Sequence, residues 1–304
     1  MTRIDESQII DREAEIEVFN SMLRCETPRR VLVVSDKSGM GKSDVLRKLR
    51  YLCEFTHNIP VALIDLRVFQ SRPDVFKLVL ELQEALRSGG AAFPAFDALN
   101  SARAFQDTNY FLEQMRSVRA LVDARGAHVD GQARVAGVMF NVEHAGNVQL
   151  PPWNEQAEIE AQSLCREAFL VDLLEYASER PVVLLFDTID IDGGEELRRW
   201  LFLELISRRL LRDWQHHRLI VVLAGQQVAE MLKARLRPKE SGCIEPIATL
   251  SRWELHHVRE FLTVHGFRDL SDEDVKTIHE MLGRGKTLSC ALIVAQAFTA
   301  EVHA

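Results

Sequence analysis

The sequence predicts an α/β fold of three layers, with helices on both faces of a parallel sheet, followed by a C-terminal helical domain. Three observations predict it. Short apolar runs of strand length recur at Val31-Leu32-Val33-Val34, Val61-Ala62-Leu63-Ile64, Val182-Val183-Leu184-Leu185-Phe186 and Leu219-Ile220-Val221-Val222-Leu223, and strands buried on both faces read this way. Amphipathic helical patterns lie between them, and strand–helix alternation is the pattern of a doubly wound sheet. The first strand stops abruptly in a small polar loop that opens a helix at Lys42.

That loop, Ser35 to Gly41, carries the functional signal. Gly39 and Gly41 let consecutive backbone N–H groups turn toward an anion that side chains would otherwise block. The helix beginning at Lys42-Ser43 adds unpaired first-turn N–H groups and the positive end of its dipole. The loop therefore reads as a phosphate-binding loop, with Ser38, Gly39, Met40, Gly41, Lys42, Ser43 and Asp44 around the phosphates. Lys42 is placed to reach the β- and γ-phosphates, and the Ser43 hydroxyl to ligate Mg²⁺. The pattern G-x-x-x-x-G-K-[ST] has glycine where this chain has Asp36. Asp is expected to serve there by tolerating a left-handed turn.

The 304 residues, with a hydrophobic content of 47% and a charged content of 27%, are enough for one large α/β domain and a smaller appended one. A net charge of −8 disfavours a general nucleic-acid or anionic-membrane surface. Cys25, Cys53, Cys165, Cys243 and Cys290 form no C-x-x-C pair and read as reduced thiols rather than a zinc site. No run approaches membrane-spanning length and the first residues hold no apolar signal core, so the expected location is the cytoplasm.

Ahead of the loop, residues 9–23 show a helical apolar period interleaved with acids. After it, Ser71-Arg72-Pro73-Asp74 starts a helix that Gly89-Gly90 ends. Residues 89–153 read as an insertion, with a helix over Asn109 to Ala124 and a β-hairpin within Ala133 to Leu150. Glu155 to Glu179 is a long helix. The next strand ends in Asp187, which has the form of a Walker B carboxylate holding Mg²⁺ or its water together with Ser43. Asp190 is the candidate to orient or deprotonate an attacking water, with Asp192 ranked behind it. Leu197 to Trp214 is predicted as a helix bearing Arg198, Arg199, Arg208, Arg209 and Arg212. Such a set is commonly a solvated face, and Arg208, Arg209 or Arg212 is an arginine-finger candidate. Residues 244–250 form a last edge strand, Ser251 to Glu254 a capping box, and three helices follow up to about Thr299.

Several segments together resemble the nucleotide-binding module of bacterial STAND ATPases, which are related to AAA+ proteins. They are Ile10-Asp11-Arg12-Glu13-Ala14-Glu15-Ile16, Gly39-Met40-Gly41-Lys42-Ser43, Leu184-Leu185-Phe186-Asp187-Thr188, Ala224-Gly225-Gln226 and the helical tail. The resemblance implies a P-loop NTPase core over 30–243, an N-terminal helix with the family box over 1–29 and a lid domain over 244–304. It implies ATP and ADP with Mg²⁺ as cofactors, Arg12 near the adenine, and Gln226 at the sensor position where such proteins commonly have Arg. Asp190 stands where a glutamate is usual, and Thr287 where the lid motif has proline. It further implies a slow ATPase that switches between nucleotide states. Its partner would be another copy of the chain, or an effector or sensor protein that is separately encoded or lies on a longer chain.

Two other readings stand beside this one. A DNA-associated AAA+ ATPase would use the basic clusters at Arg208 to Arg212 and Lys233 to Lys239, and the acidic net charge opposes it. A catalytically degenerate P-loop scaffold would follow from Asp36, Asp190 and Gln226.

Overall fold

The computed structural model describes residues 12–124, 152–212, 214–247, 250, 253–283 and 288–302. The hairpin expected within Ala133 to Leu150, Ile10 and Asp11 of the N-terminal box, and the Gly285-Lys286-Thr287 motif lie outside the described residues. Contacts divide the chain into two compact units. One comprises Met1–Ala91 with Tyr176–Ala304, and the other Ala92–Glu175.

The first unit is built on five parallel strands: β1 (Val31–Ser35), β2 (Val61–Asp65), β3 (Val182–Asp187), β4 (Leu219–Gly225) and β5 (Ile244–Ile247). Their order is β2-β3-β4-β1-β5. Every residue of β1, β3 and β4 is buried. Since successive side chains point to opposite faces, helices must cover the sheet on both sides. One covering layer is α1 (Glu13–Leu23) with α2 (Lys42–Tyr51). Phe19, Met22, Val45, Leu46 and Leu49 join Leu32, Val34, Val183, Leu185 and Val222 in a single core. Each such side chain contributes about 1.5–3 kcal/mol by leaving water.

The strand order also locates a crevice. From β1 the chain crosses past β4 and β3 to reach β2, whereas from β4 it crosses past β1 in the other direction to reach β5. Right-handed crossovers in opposite directions place their helices on opposite faces. A switch point therefore opens between the carboxyl ends of β1 and β4, where α/β sheets bind ligands. Ser35 and Gly225 face each other there in register.

Local chemistry accounts for the helix boundaries. Asp74 accepts N–H bonds from Phe76 and Lys77 at 2.8 and 3.1 Å and so starts α3 (Val75–Ser88). The helix expected over Leu197 to Trp214 is instead α7 (Glu195–Arg199) running into a π-helix, Trp200–Leu210. A similar π segment, Leu52–His57, extends α2. A short helix α8 (Val228–Lys233) packs on β1 and β4.

The helical tail comprises α9 (Leu255–Val264), α10 (Asp272–Gly283) and α11 (Leu288–Val302). It has its own core of Val258, Leu262, Val275, Ile278, Ala291 and Ala295. Ser251 and Arg252 of the expected capping box lie outside the described residues. Glu254 caps α9, and its N–H donates to His257 Nδ1 at 3.1 Å. Ser271 and Asp274 form the reciprocal box that starts α10.

The second unit holds α4 (Pro94–Ala104), α5 (Thr108–Ala124) and most of α6 (Glu155–Glu179). Phe93 stacks on Phe169 at 5.3 Å between ring centroids, and Phe96 meets the same ring edge-on. The buried Asp172 carboxylate accepts the Phe96 N–H at 2.9 Å. Among the described residues, no helix of either unit is long and apolar enough to cross a membrane.

Candidate functional site

The predicted phosphate-loop residues all lie at the carboxyl end of β1. Gly39 and Gly41 adopt φ of 78° and 89°, left-handed values that a side chain would strain. Gly41 is the N-cap of α2, so Lys42, Ser43 and Asp44 form its first turn. Lys42 is buried, and its Nζ donates to the carbonyls of Asp36 and Lys37 at 2.7 Å each. Burial pulls its pKa below the ordinary lysine value, and Asp36, Asp190 and Asp187 oppose that shift electrostatically. Burial also raises the pKa of Asp44, although Arg47 lies at 2.7 Å. An ammonium with so little water around it is primed for a polyanion.

Asp36 serves differently from the expectation. It is not among the described non-glycine residues with positive φ, so tolerance of a left-handed turn is not its role. Its carboxylate is a tie: Oδ1 accepts the Lys37 N–H at 2.7 Å and Oδ2 accepts the Leu250 N–H at 3.0 Å.

Asp187 ends β3, one strand beyond β4, and is buried. Its Oδ1 accepts the Thr188 N–H at 2.8 Å. Thr188 has φ 56°, a left-handed value that costs a β-branched residue about 1–2 kcal/mol. This strain turns the chain sharply after the carboxylate. Asp190 then comes back over β4, where its Oδ2 accepts the Gln226 N–H at 3.1 Å. The Gln226 side chain is exposed at this edge. Arg12 is buried just ahead of α1, with φ 107°. Its guanidinium donates to the Met40 carbonyl at 3.2 Å and lies over the Trp253 ring.

The donor set suits magnesium. Among the described residues no group of three or more His, Cys, Asp or Glu could hold a metal by itself. Mg²⁺ characteristically takes one or two protein oxygens and completes its shell with water and phosphate. Ser43 on the first turn of α2 and Asp187 at the end of β3 are the hydroxyl and carboxylate that would hold such an ion.

Sequence reasoning missed three participants. Asp65 ends β2 in register with Asp187, and it binds Arg67 through both carboxylate oxygens at 2.6 to 3.0 Å. Arg67, together with the Thr188 side chain, lowers the Asp65 pKa against the opposing effect of burial. Arg198 was grouped with a solvated basic face. Only 12% of its side chain is exposed, and its Nη1 donates to the Ile191 carbonyl at 2.6 Å and the Ile189 carbonyl at 3.3 Å. It thereby clamps the loop that carries Asp190. Among the finger candidates, Arg208 pairs with Glu204 on its own helix at 2.6 Å.

No protein-family model matches the chain, and no curated protein matches it. Among solved structures it is similar to the ORC2 protein of Aeropyrum pernix in ADPNP–ADP complexes, with 12% identity and a TM-score of 0.38. That match covers 91% of this chain and 59% of the other, so the chain spans about three fifths of that structure's length. On its own sheet order and burial, the chain is an α/β fold with a five-stranded parallel sheet, followed by C-terminal helices.

Proposed function

We propose that the chain is an ATP-binding switch module that hydrolyses ATP slowly and passes its nucleotide state to an assembly or signalling partner, in the manner of STAND ATPases. One observation carries the reading. A lysine at the head of a helix, behind two left-handed glycines, is electrostatically coupled to Asp187 at the end of β3 and to Asp190 in the loop that follows it. In this reading the loop N–H groups and Lys42 hold the phosphates, Ser43 and Asp187 hold Mg²⁺, and Asp190 orients water. Arg12 and Gln226 flank the nucleotide. Magnesium supplies charge neutralisation at the phosphates.

The test is nucleotide extraction from the purified protein, followed by ATP binding and turnover with Mg²⁺ in wild type and Lys42→Ala. Loss of at least about 10-fold in affinity is expected from removing a charge-assisted phosphate contact. Well-folded wild-type protein that binds no ATP would sink the reading. A degenerate scaffold is the second reading, favoured by Asp190 being already engaged by the Gln226 N–H. Binding without turnover would select it.

A further inference from the structure

Every polar group of Asp36 is engaged. Its N–H faces the Gly225 carbonyl at 3.4 Å at the end of β4, and its carbonyl accepts Lys42 Nζ. Its carboxylate holds the N–H groups of Lys37 and Leu250. A glycine at this position could make both backbone contacts and neither carboxylate contact. Leu250, 3% exposed, is seated in the core beside α1 and α2, on the segment that leads from β5 into α9.

A second contact ties the same segment to the far side of the loop. Arg12 donates to the Met40 carbonyl and carries Trp253 on its guanidinium, 5.9 Å from the ring centroid. Trp253 in turn packs edge-on against Phe261 of α9 at 4.9 Å, and its carbonyl bonds His279 of α10 at 2.9 Å. The phosphate loop is thus held at its entry and near its apex by groups that also hold residues 250 and 253.

This geometry points to Asp36 as the coupling residue of the switch: its carboxylate latches the strand-to-tail segment onto the phosphate loop, and a bound nucleoside triphosphate loosens that latch. The inference rests on the nucleotide-binding reading and adds the regulation of the same site. Two forces act on the latch. Phosphate charge repels a carboxylate at the loop entry. Phosphate oxygens also draw the Lys42 ammonium away from the Asp36 carbonyl that now holds it. Linkage is reciprocal, so removing the latch must strengthen triphosphate binding by the factor through which triphosphate weakens the latch.

Amide hydrogen exchange of the full chain tests this at Leu250 and across α9 and α10, without nucleotide, with ADP, and with the β,γ-imido analogue of ATP and Mg²⁺. Wild type, Asp36→Ala and Asp36→Asn are compared, together with their affinities for the analogue. In wild type, the analogue should speed Leu250 exchange by about 10-fold, within the usual range of coupling factors. Asp36→Ala should exchange fast in every state and bind the analogue about 10-fold more tightly. Asp36→Asn keeps an acceptor without the charge, so it should be protected without nucleotide and respond to the analogue less than wild type does, which separates latching from misfolding. Wild type that binds the analogue with no change at Leu250, or Asp36→Ala that responds as wild type does, overturns the latch and leaves the nucleotide reading standing. Wild type that binds no nucleotide overturns both.

Discussion

Asp190 rests on the backbone of Gly225 and Gln226. Its Oδ2 accepts the Gln226 N–H at 3.1 Å, and a Cβ added to Gly225 would lie 2.6 Å from its Oδ1. The contact joins the loop after β3 to the end of β4, so it positions the carboxylate as well as occupying it. Asp190→Asn keeps an acceptor for Gln226 and removes only the basicity. Its urea midpoint should match wild type, while ATP turnover falls about 100-fold, the lower range for a lost general base. Unchanged turnover would assign Asp190 a purely structural role.

Gly225→Ala tests the same contact from the other side. The new methyl would meet Val228 Cγ2 at 2.6 Å as well as Asp190, and overpacking of this kind costs about 1–3 kcal/mol. Chemical denaturation should read that loss directly. Turnover should fall further than stability explains, because the carboxylate must move.

The second unit carries a pH dependence of its own. Burial pushes the Asp172 carboxyl up to about 6 from 3.8, and among the described residues its Oδ1 finds no hydrogen-bond partner. The bonds it accepts near the start of α4 offset only part of this penalty. A raised carboxyl pKa means that the folded state binds the proton more tightly than the unfolded state. The favourable contribution is complete below about pH 4 and is lost as pH rises to about 6, with a plateau above. Asp172→Asn should therefore stabilise the protein by about 1–2 kcal/mol at pH 7. The gain should vanish near pH 4 in urea titrations followed by circular dichroism.

The strands of the sheet were legible because burial on both faces leaves apolar runs with no polar interruption, as in Val182 to Phe186. The helix Glu155–Glu179 was legible to the residue. At the candidate site, local pattern placed Lys42 at a helix start, Asp187 at a strand end and Asp190 in the loop three residues beyond, and the structure has them there. The π-helix at Trp200–Leu210 was not legible, since a shift of one residue in hydrogen-bond pairing leaves the apolar spacing almost unchanged. Arg198 hid in a run of basic residues, and only folding shows which of them turns inward. The Asp36 bond to Leu250 spans 214 residues, and no local pattern reports a contact of that separation.

Arg198 gives a prediction that separates positioning from binding. Its guanidinium donates to the Ile189 and Ile191 carbonyls on either side of Asp190, and it touches none of the phosphate-loop residues in these contacts. Arg198→Ala should leave ATP affinity within about twofold and lower turnover, with a stability loss of about 1–3 kcal/mol from the orphaned carbonyls. Arg198→Lys should recover only part of the turnover, because one ammonium cannot reproduce a planar fork. Equal losses in affinity and turnover would place Arg198 in the general scaffold.

The cysteines provide a last test of how the interior is packed. Burial pushes Cys53 and Cys165 up to about 12 and raises Cys243 as well, whereas Cys25 is exposed. Thiolate is the reactive form, so at pH 8 the two most perturbed thiols should react roughly a thousandfold more slowly than a free cysteine. Native protein treated with a chromogenic disulfide reagent should show one fast thiol, removed by Cys25→Ser, with half-buried Cys290 slower. The buried thiols should appear only as the chain unfolds, and the rate of their appearance then measures the opening of each unit's core. A fast phase that survives Cys25→Ser would show that one of these cores opens in the native protein.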